Sequence, residues 1–369
     1  MKRKMFLLAF AGFGLTAIAQ TDTLQEQLPV LNEPVSKYIP VTQYWKEHDI
    51  FQHLDVSLTA GTTGIGIDVA SPIGEYLQLR AGYEFMPRFT KTFEFDVMIG
   101  DQPARQYDAN GNRVETRFDR LAEMLYQYTG YEVEDHIDMI GKPTMNNFKL
   151  LVDVFPFKNN KHWHFTAGFY WGPSQFAEAV NSTEAMTSLL SLGMYNQMYE
   201  KTNHPDAIGN VVLVEIPDPS DPEYPYVYYM TDDMINMFQR YGRMGFSLGE
   251  YTHDVYDKTG NLIHSAGDKY VLEPDDRGMV HIKAKSNAFK PYLGFGYGGR
   301  LLKNRDDWKV SFDAGALFWG GTPDLYTHDG MNLTKDVTNI KGQPGTYVSL
   351  LKAFKVYPAV SVRFTKTIF

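Results

Sequence analysis

The stretch Leu77-Gln78-Leu79-Arg80-Ala81-Gly82-Tyr83-Glu84-Phe85 alternates without a break. Leu77, Leu79, Ala81, Tyr83 and Phe85 fall on one face, and Gln78, Arg80, Gly82 and Glu84 on the other. Strict period 2 is the signature of a strand with one apolar and one polar side. The same alternation returns downstream. Phe93, Phe95, Val97 and Ile99 oppose Glu94, Asp96 and Met98; Trp163, Phe165, Ala167, Phe169 and Trp171 oppose His164, Thr166, Gly168 and Tyr170. Trp308, Val310, Phe312, Ala314, Ala316 and Phe318 oppose Lys309, Ser311, Asp313 and Gly315.

Two architectures give this pattern. A soluble sandwich or barrel turns its apolar faces inward; a membrane barrel turns them to lipid and keeps the polar faces inside. Aromatic residues cap the apolar faces at both ends, with Trp163, Trp171, Trp308 and Phe318 forming a girdle. Ten strand residues, at about 3.4 Å rise and about 45° tilt, project to roughly 24 Å, the height of an outer-membrane barrel's apolar band. The polar faces mix small residues with charges of both signs, and Arg80, Glu84, Asp96, Asp153, Lys309, Asp313 and Arg363 are expected to line the lumen. Opposite charges on one face suit a narrow lumen filled by ion pairs. The expectation is all-β, a closed antiparallel transmembrane β-barrel.

The strand segments are read at 53–71, 75–87, 91–100, 147–157, 162–172, 289–299, 307–319 and 347–368. In the first, apolar positions switch from even (Leu54, Val56, Leu58, Ala60) to odd (Ile65, Ile67, Val69) across Gly61-Thr62-Thr63-Gly64. Read as a β-bulge in one long strand, this gives eight strands. Ten is the alternative, with 211–215 and 280–285 added to the wall. Starting in the periplasm, connections 88–90, 158–161 and 300–306 fall on that side and are short. Connections 101–146, 173–288 and 320–346 fall outside and are long, beside a tight turn at 71–75. Short periplasmic turns and long external loops are the outer-membrane arrangement.

At the N-terminus, Lys2-Arg3-Lys4, the apolar run Met5–Leu15 and Thr16-Ala17-Ile18-Ala19 have the form of a signal peptide cleaved after Ala19. Residues 1–19 are therefore expected to be removed, 20–50 to form a periplasmic segment, and 51–369 to form the barrel with its external loops. The 369 residues contain 24 Tyr, 24 Phe and no Cys, which excludes a disordered chain, a disulfide scaffold and a thiolate metal site. The net charge of −9 argues against nucleic acid as a partner.

The chain resembles the small outer-membrane β-barrel proteins of Gram-negative bacteria. The resemblance rests on Gly61–Val69 and Leu77–Tyr83, on Phe148–Phe157, on Pro291–Gly298 and on the terminal strand. It implies outer-membrane lipid and the barrel-assembly machinery as partners, with Phe369 as the aromatic assembly signal. Phe369 is out of phase with Val356, Val360, Val362, Phe364 and Ile368, so either Ile368 serves as the signal or a bulge lies near the end.

Function is expected in the loops. Segment 173–288 holds 17 Asp+Glu against 8 Lys+Arg. Its spacing predicts a helix near Leu189–Met198, a hairpin from 210–215 and 224–229, and a second helix of Met234, Met237, Phe238 and Tyr241 behind Thr231. Phe118, Leu121, Leu125 and Tyr128 outline a helix ending before Gly130.

Gly245-Phe246-Ser247-Leu248-Gly249 matches the hydrolase pattern G-x-S-x-G, with His253, His264 or His281 as base and Asp254 as orienter. That turn requires strand-to-helix order, whereas Ser247 follows a helix. His253, Asp254, Asp257, Asp268, Asp275 and Asp276 carry ligands for Ca²⁺ but match no loop consensus. No catalytic, cofactor or metal residue is assigned. The leading reading is a non-enzymatic outer-membrane barrel whose external loops bind a surface ligand or partner, or shield the barrel. A Ser247 hydrolase and a barrel subunit of a larger envelope complex are the alternatives.

Overall fold

The computed structural model describes residues 40–47, 50–203, 211–221 and 223–369. Of the chain's two units, residues 1–41 lie almost wholly outside these; the architecture below belongs to residues 42–369. The signal peptide, its cleavage after Ala19 and most of 20–50 likewise lie outside the described residues.

Eight antiparallel strands close into a barrel: β1 Asp55–Gly61, β2 Gly64–Ile73, β3 Leu77–Phe85, β4 Asn146–Val154, β5 Trp163–Trp171, β6 Phe289–Leu302, β7 Arg305–Leu317 and β8 Tyr357–Thr367. Each pairs with its neighbours in sequence, and β8 returns to β1 with Asp55 opposite Thr367. Pairing continues past the strand ends, where the Leu54 amide donates to the Phe369 carbonyl and the Ile368 amide to the Leu54 carbonyl.

The count of eight is right, but two of its members are corrected. Residues 53–71 are not one bulged strand. They fold into β1 and β2 around a two-residue turn, Thr62-Thr63, flanked by Gly64 at φ +124°. Leu58 pairs with Ile67, so the switch from even to odd positions is what a tight hairpin requires when both residues face outward. Segment 91–100 leaves the wall altogether. Its strand, Lys91–Ile99, belongs to a second sheet beyond the barrel rim.

These corrections offset each other in the sorting of the connections. The short ones, 74–76, 155–162 and 303–304, lie at the end that holds both strand termini. The long ones, 86–145, 172–288 and 318–356, lie at the other end with the turn 62–63. The expected start of the last strand at 347 is also corrected. Residues Gly342–Ala353 are a helix, with Val348 buried in the second core.

Strands β3 to β7 continue past the rim as Lys91–Ile99, His136–Pro143, Gln175–Asn181, His281–Lys285 and Asp324–Thr327, which pair in the same order. Register carries across. Trp171 faces Phe289 in the wall and Gln175 faces Lys285 above it; Tyr292 faces Leu317 and, higher up, Ile282 faces Thr327. Beyond Lys91–Ile99 the upper sheet gains Met244–Tyr251 and Lys269–Leu272. The ten-stranded alternative is thereby resolved: 281–285 lies in this upper sheet, and among the described residues Val212–Ile216 pairs only with Tyr226–Tyr229.

Among the described residues the upper sheet does not close. Its apolar face packs under helices α1 Arg117–Thr129, α2 Met186–Asn203, α3 Asp232–Tyr241 and α4 Gly342–Ala353. Phe95, Val97, Ile99, Leu121, Leu189, Phe238, Phe246 and Leu272 form one buried cluster to which all three long connections contribute. The helix starts follow local chemistry. Thr231 accepts a bond from the Met234 amide at the head of α3, and Thr116 with Asp119 makes a capping box for α1. Helix α1 ends at Gly130 in the left-handed region.

Candidate functional site

The polar faces of β1–β8 meet inside a narrow barrel, where charged side chains of opposite sign pair with one another. Asp153 on β4 takes Arg80 of β3 at 2.8 Å, Arg363 of β8 at 3.3 Å and the Thr166 hydroxyl of β5 at 2.6 Å. Asp313 on β7 takes His164 of β5 at 2.7 Å, Arg363 at 3.3 Å and Ser311. Toward the capped end, Lys149 holds both Asp68, at 2.8 Å, and Glu84. Thr59 also donates to Asp68. Close approach sets two glycines: a Cβ at Gly82 would meet the Asp68 carboxylate, and one at Gly296 the His164 ring.

Above these charges Leu151, Tyr170, Tyr292, Leu317 and Ala359 form a small apolar plug. Lys290 lies at the same end at 0% exposure, donating to Asn147 and to the Ala288 carbonyl. At the short-turn end the lumen opens into a vestibule of about 610 Å³, lined among others by Asp55, Gln78, His162, His164, Lys309 and Arg363. Buried charges are costly unless paired and hydrogen-bonded, so this interior has been filled by mutual pairing rather than left as a pore.

Of the residues expected to line the lumen, the structure brings together Arg80, Glu84, Asp153, Asp313 and Arg363. Lys309 stands at the vestibule mouth, half-exposed and 4.0 Å from Asp55. Asp96 is corrected: it lies in the upper sheet, where it pairs with Arg105 beside Glu94. Asp68, Lys149 and Lys290 were missed. Each follows the inward phase of its strand, which was the available signal.

The outer surface of the barrel is apolar and uncovered. Leu58 is 59% exposed and Phe312 62% exposed, with Ile67, Phe165, Leu293, Phe295, Val360 and Phe364 alike. Trp163 stacks edge-on to Tyr297 at one end, and Trp308 lies under the Lys366 ammonium at 4.7 Å. Trp171 and Phe318 are exposed at the capped end. Among the described residues no helix is long and apolar enough to cross a membrane; the strands do so.

The upper sheet and its helices make the remaining candidate surface. Ser247 sits mid-strand opposite Val271, and among the described residues no histidine or carboxylate bonds to its hydroxyl. The acidic loop residues are occupied by turns. Asp257 accepts from Thr259 and Asn261, which hold its pKa down to about 2. Asp254 accepts from Ala266, Asp268 from Ser265 and Asp275 from Met279. Glu94, His136 and Asp138 lie close enough together to bind a metal ion. However, Arg105 bonds Glu94 at 2.8 Å and Asp135 holds His136 at 2.7 Å.

A closed antiparallel barrel with a polar, self-paired interior and an apolar, aromatic-edged exterior defines the class: a small, eight-stranded transmembrane β-barrel protein. No family model and no curated relative matches the chain. Among solved structures it is similar to CarO2 of Acinetobacter baumannii, at 13% identity and TM-score 0.33 over 85% of this chain and 98% of that one. It is similar too to CarO of the same organism, at 13% identity and TM-score 0.34, over 85% and 97%. With similarity this low, the class rests on the barrel's own geometry and surface.

Proposed function

We propose that this chain is a non-enzymatic outer-membrane barrel whose external unit binds a partner at the cell surface. The observation that carries this reading is the unequal division of labour between the two ends. The lumen is strapped shut by Arg363, Asp153, Arg80 and Asp313, while the three long connections share one packed core. Loops that only shielded the mouth would need no common core; one core fixes their surface side chains relative to each other, as recognition requires. The self-paired lumen speaks against conduction as the main activity.

The test reconstitutes the full chain in planar bilayers and, separately, exposes intact cells to trypsin. The reading expects no large steady single-channel current and cleavage confined to 86–145, 172–288 and 318–356. A stable conductance of porin size, or protection of all three connections on intact cells, would overturn it.

A further inference from the structure

One element of the external unit is left without a partner of its own. Strands Val212–Ile216 and Tyr226–Tyr229 pair with each other and with nothing else among the described residues. Isolated two-stranded ribbons are marginal in water, and they bury little of what they carry. This one carries Val214, Ile216, Tyr226, Tyr228 and Tyr229 exposed, with Tyr224 at 72% exposure beside them. Among the described residues the ribbon's outer edges bond to no other strand, although Lys201 donates to the Val212 carbonyl, and such edges are a ready template for another extended chain.

Charge narrows what can dock there. Glu215, Asp218, Asp221 and Glu223 lie on or beside the hairpin, and no Lys or Arg occurs between Lys201 and Arg240. Among the described residues none of the four forms an ion pair. Exposed tyrosine faces attract Lys and Arg through their ring quadrupoles, and the carboxylates add a field of the same preference. An anionic lipid or polysaccharide surface is repelled by that field, and so is a second copy of the same arm.

We propose that the hairpin is a docking arm for an extended, Lys/Arg-rich segment of another protein, which adds along a ribbon edge and lays its cationic side chains over Tyr226 and Tyr228. This names the partner class for the binding activity proposed above and rests on that reading.

The probe is a fluorescein-labelled dodecapeptide of alternating Lys and Val, titrated into the full chain in detergent and followed by anisotropy. An alternating Glu–Val peptide is the control. Saturable binding of the basic peptide is expected, weakening steeply as NaCl rises from about 50 to about 500 mM. Tyr226→Ser with Tyr228→Ser should weaken it about tenfold or more. Asp221→Asn with Glu223→Gln should flatten the salt dependence. These sites are exposed, so an unchanged tryptic pattern establishes that the variants are folded.

Equal binding of the acidic peptide, indifference to both double variants, or preferential binding to vesicles containing lipopolysaccharide would each overturn the proposal. So would a concentration-dependent dimer abolished by the Tyr substitutions. Failure of the peptide with the external unit accessible on cells sinks the docking arm alone; an external unit inaccessible on cells sinks the proposed function.

Discussion

Arg363 on β8 reaches Asp153 on β4 across the barrel, 3.3 Å from guanidinium to carboxylate. In a ring of eight strands these two are four apart, so the contact spans the lumen's diameter. The same guanidinium also meets Asp313 on β7 and the Ser311 hydroxyl. One side chain thus ties together three walls of the barrel and forms the floor of the vestibule.

Removing that strap should cost more than a surface ion pair. Arg363→Leu leaves the buried carboxylates of Asp153 and Asp313 short of a cation, a loss of about 3–5 kcal/mol. Urea unfolding of the barrel in lipid vesicles measures it. Arg363→Lys should recover part of the loss, since charge returns without the guanidinium's fork.

The outer wall makes the opposite demand. Ala81 faces outward in mid-strand, paired with Val69 and Leu150. Ala81→Arg should lower stability in bilayers by about 2–4 kcal/mol. Normal folding of this variant in lipid would mean that the apolar band faces protein or water instead.

Acid should loosen the external unit before the barrel. Arg105, bonding Glu94, and Lys142, bonding Glu178, hold those carboxyls below their ordinary range. A depressed carboxyl contributes stability above its unfolded pKa of about 4.3 and loses it as pH falls through the folded value. Amide exchange in 91–99 and 175–181 should therefore accelerate below that pH while β1–β8 stay protected. Arg105→Gln should reduce the pH dependence near Glu94.

Because the three long connections share a core, removing one differs from removing all. Deleting 175–286 strips Leu189, Phe246 and Leu272 from Phe95 and Val97, so the remaining external segments should become protease-sensitive around an intact barrel. Replacing 87–144, 174–286 and 319–356 together by short turns should leave a heat-resistant barrel, since its backbone bonds close on themselves. Loss of the barrel in that last variant would mean that wall and external unit fold only together.

The wall was legible because alternation reports faces, and the helices because capping residues and apolar spacing mark them at Thr231 and Gly130. The two misassigned segments show what alternation does not report. Phe95, Val97 and Ile99 alternate with Glu94, Asp96 and Met98 just as wall residues do, yet Phe95 is 1% exposed in a protein core. Period 2 tells that a face is apolar, not whether lipid or protein covers it. Likewise the phase switch at 61–64 fits a bulge or a two-residue turn equally, and only the pairing of Leu58 with Ile67 distinguishes them. In the lumen the inward phase was readable at Asp68 and Lys149; which acid meets which base depended on strand order, and Arg363 with Asp153 lie 210 residues apart.

The most direct test of a barrel in the outer membrane with its packed unit outside exploits the absence of cysteine. Single cysteines at Thr259 in the external unit, at Asn304 in the β6–β7 turn and at Leu293 on the outer wall are probed in whole cells with a membrane-impermeant maleimide. Thr259→Cys is expected to label on intact cells, Asn304→Cys only after the outer membrane is permeabilised, and Leu293→Cys in neither case. Labelling of Asn304→Cys but not Thr259→Cys on intact cells would invert the orientation, and ready labelling of Leu293→Cys would contradict the membrane-spanning wall.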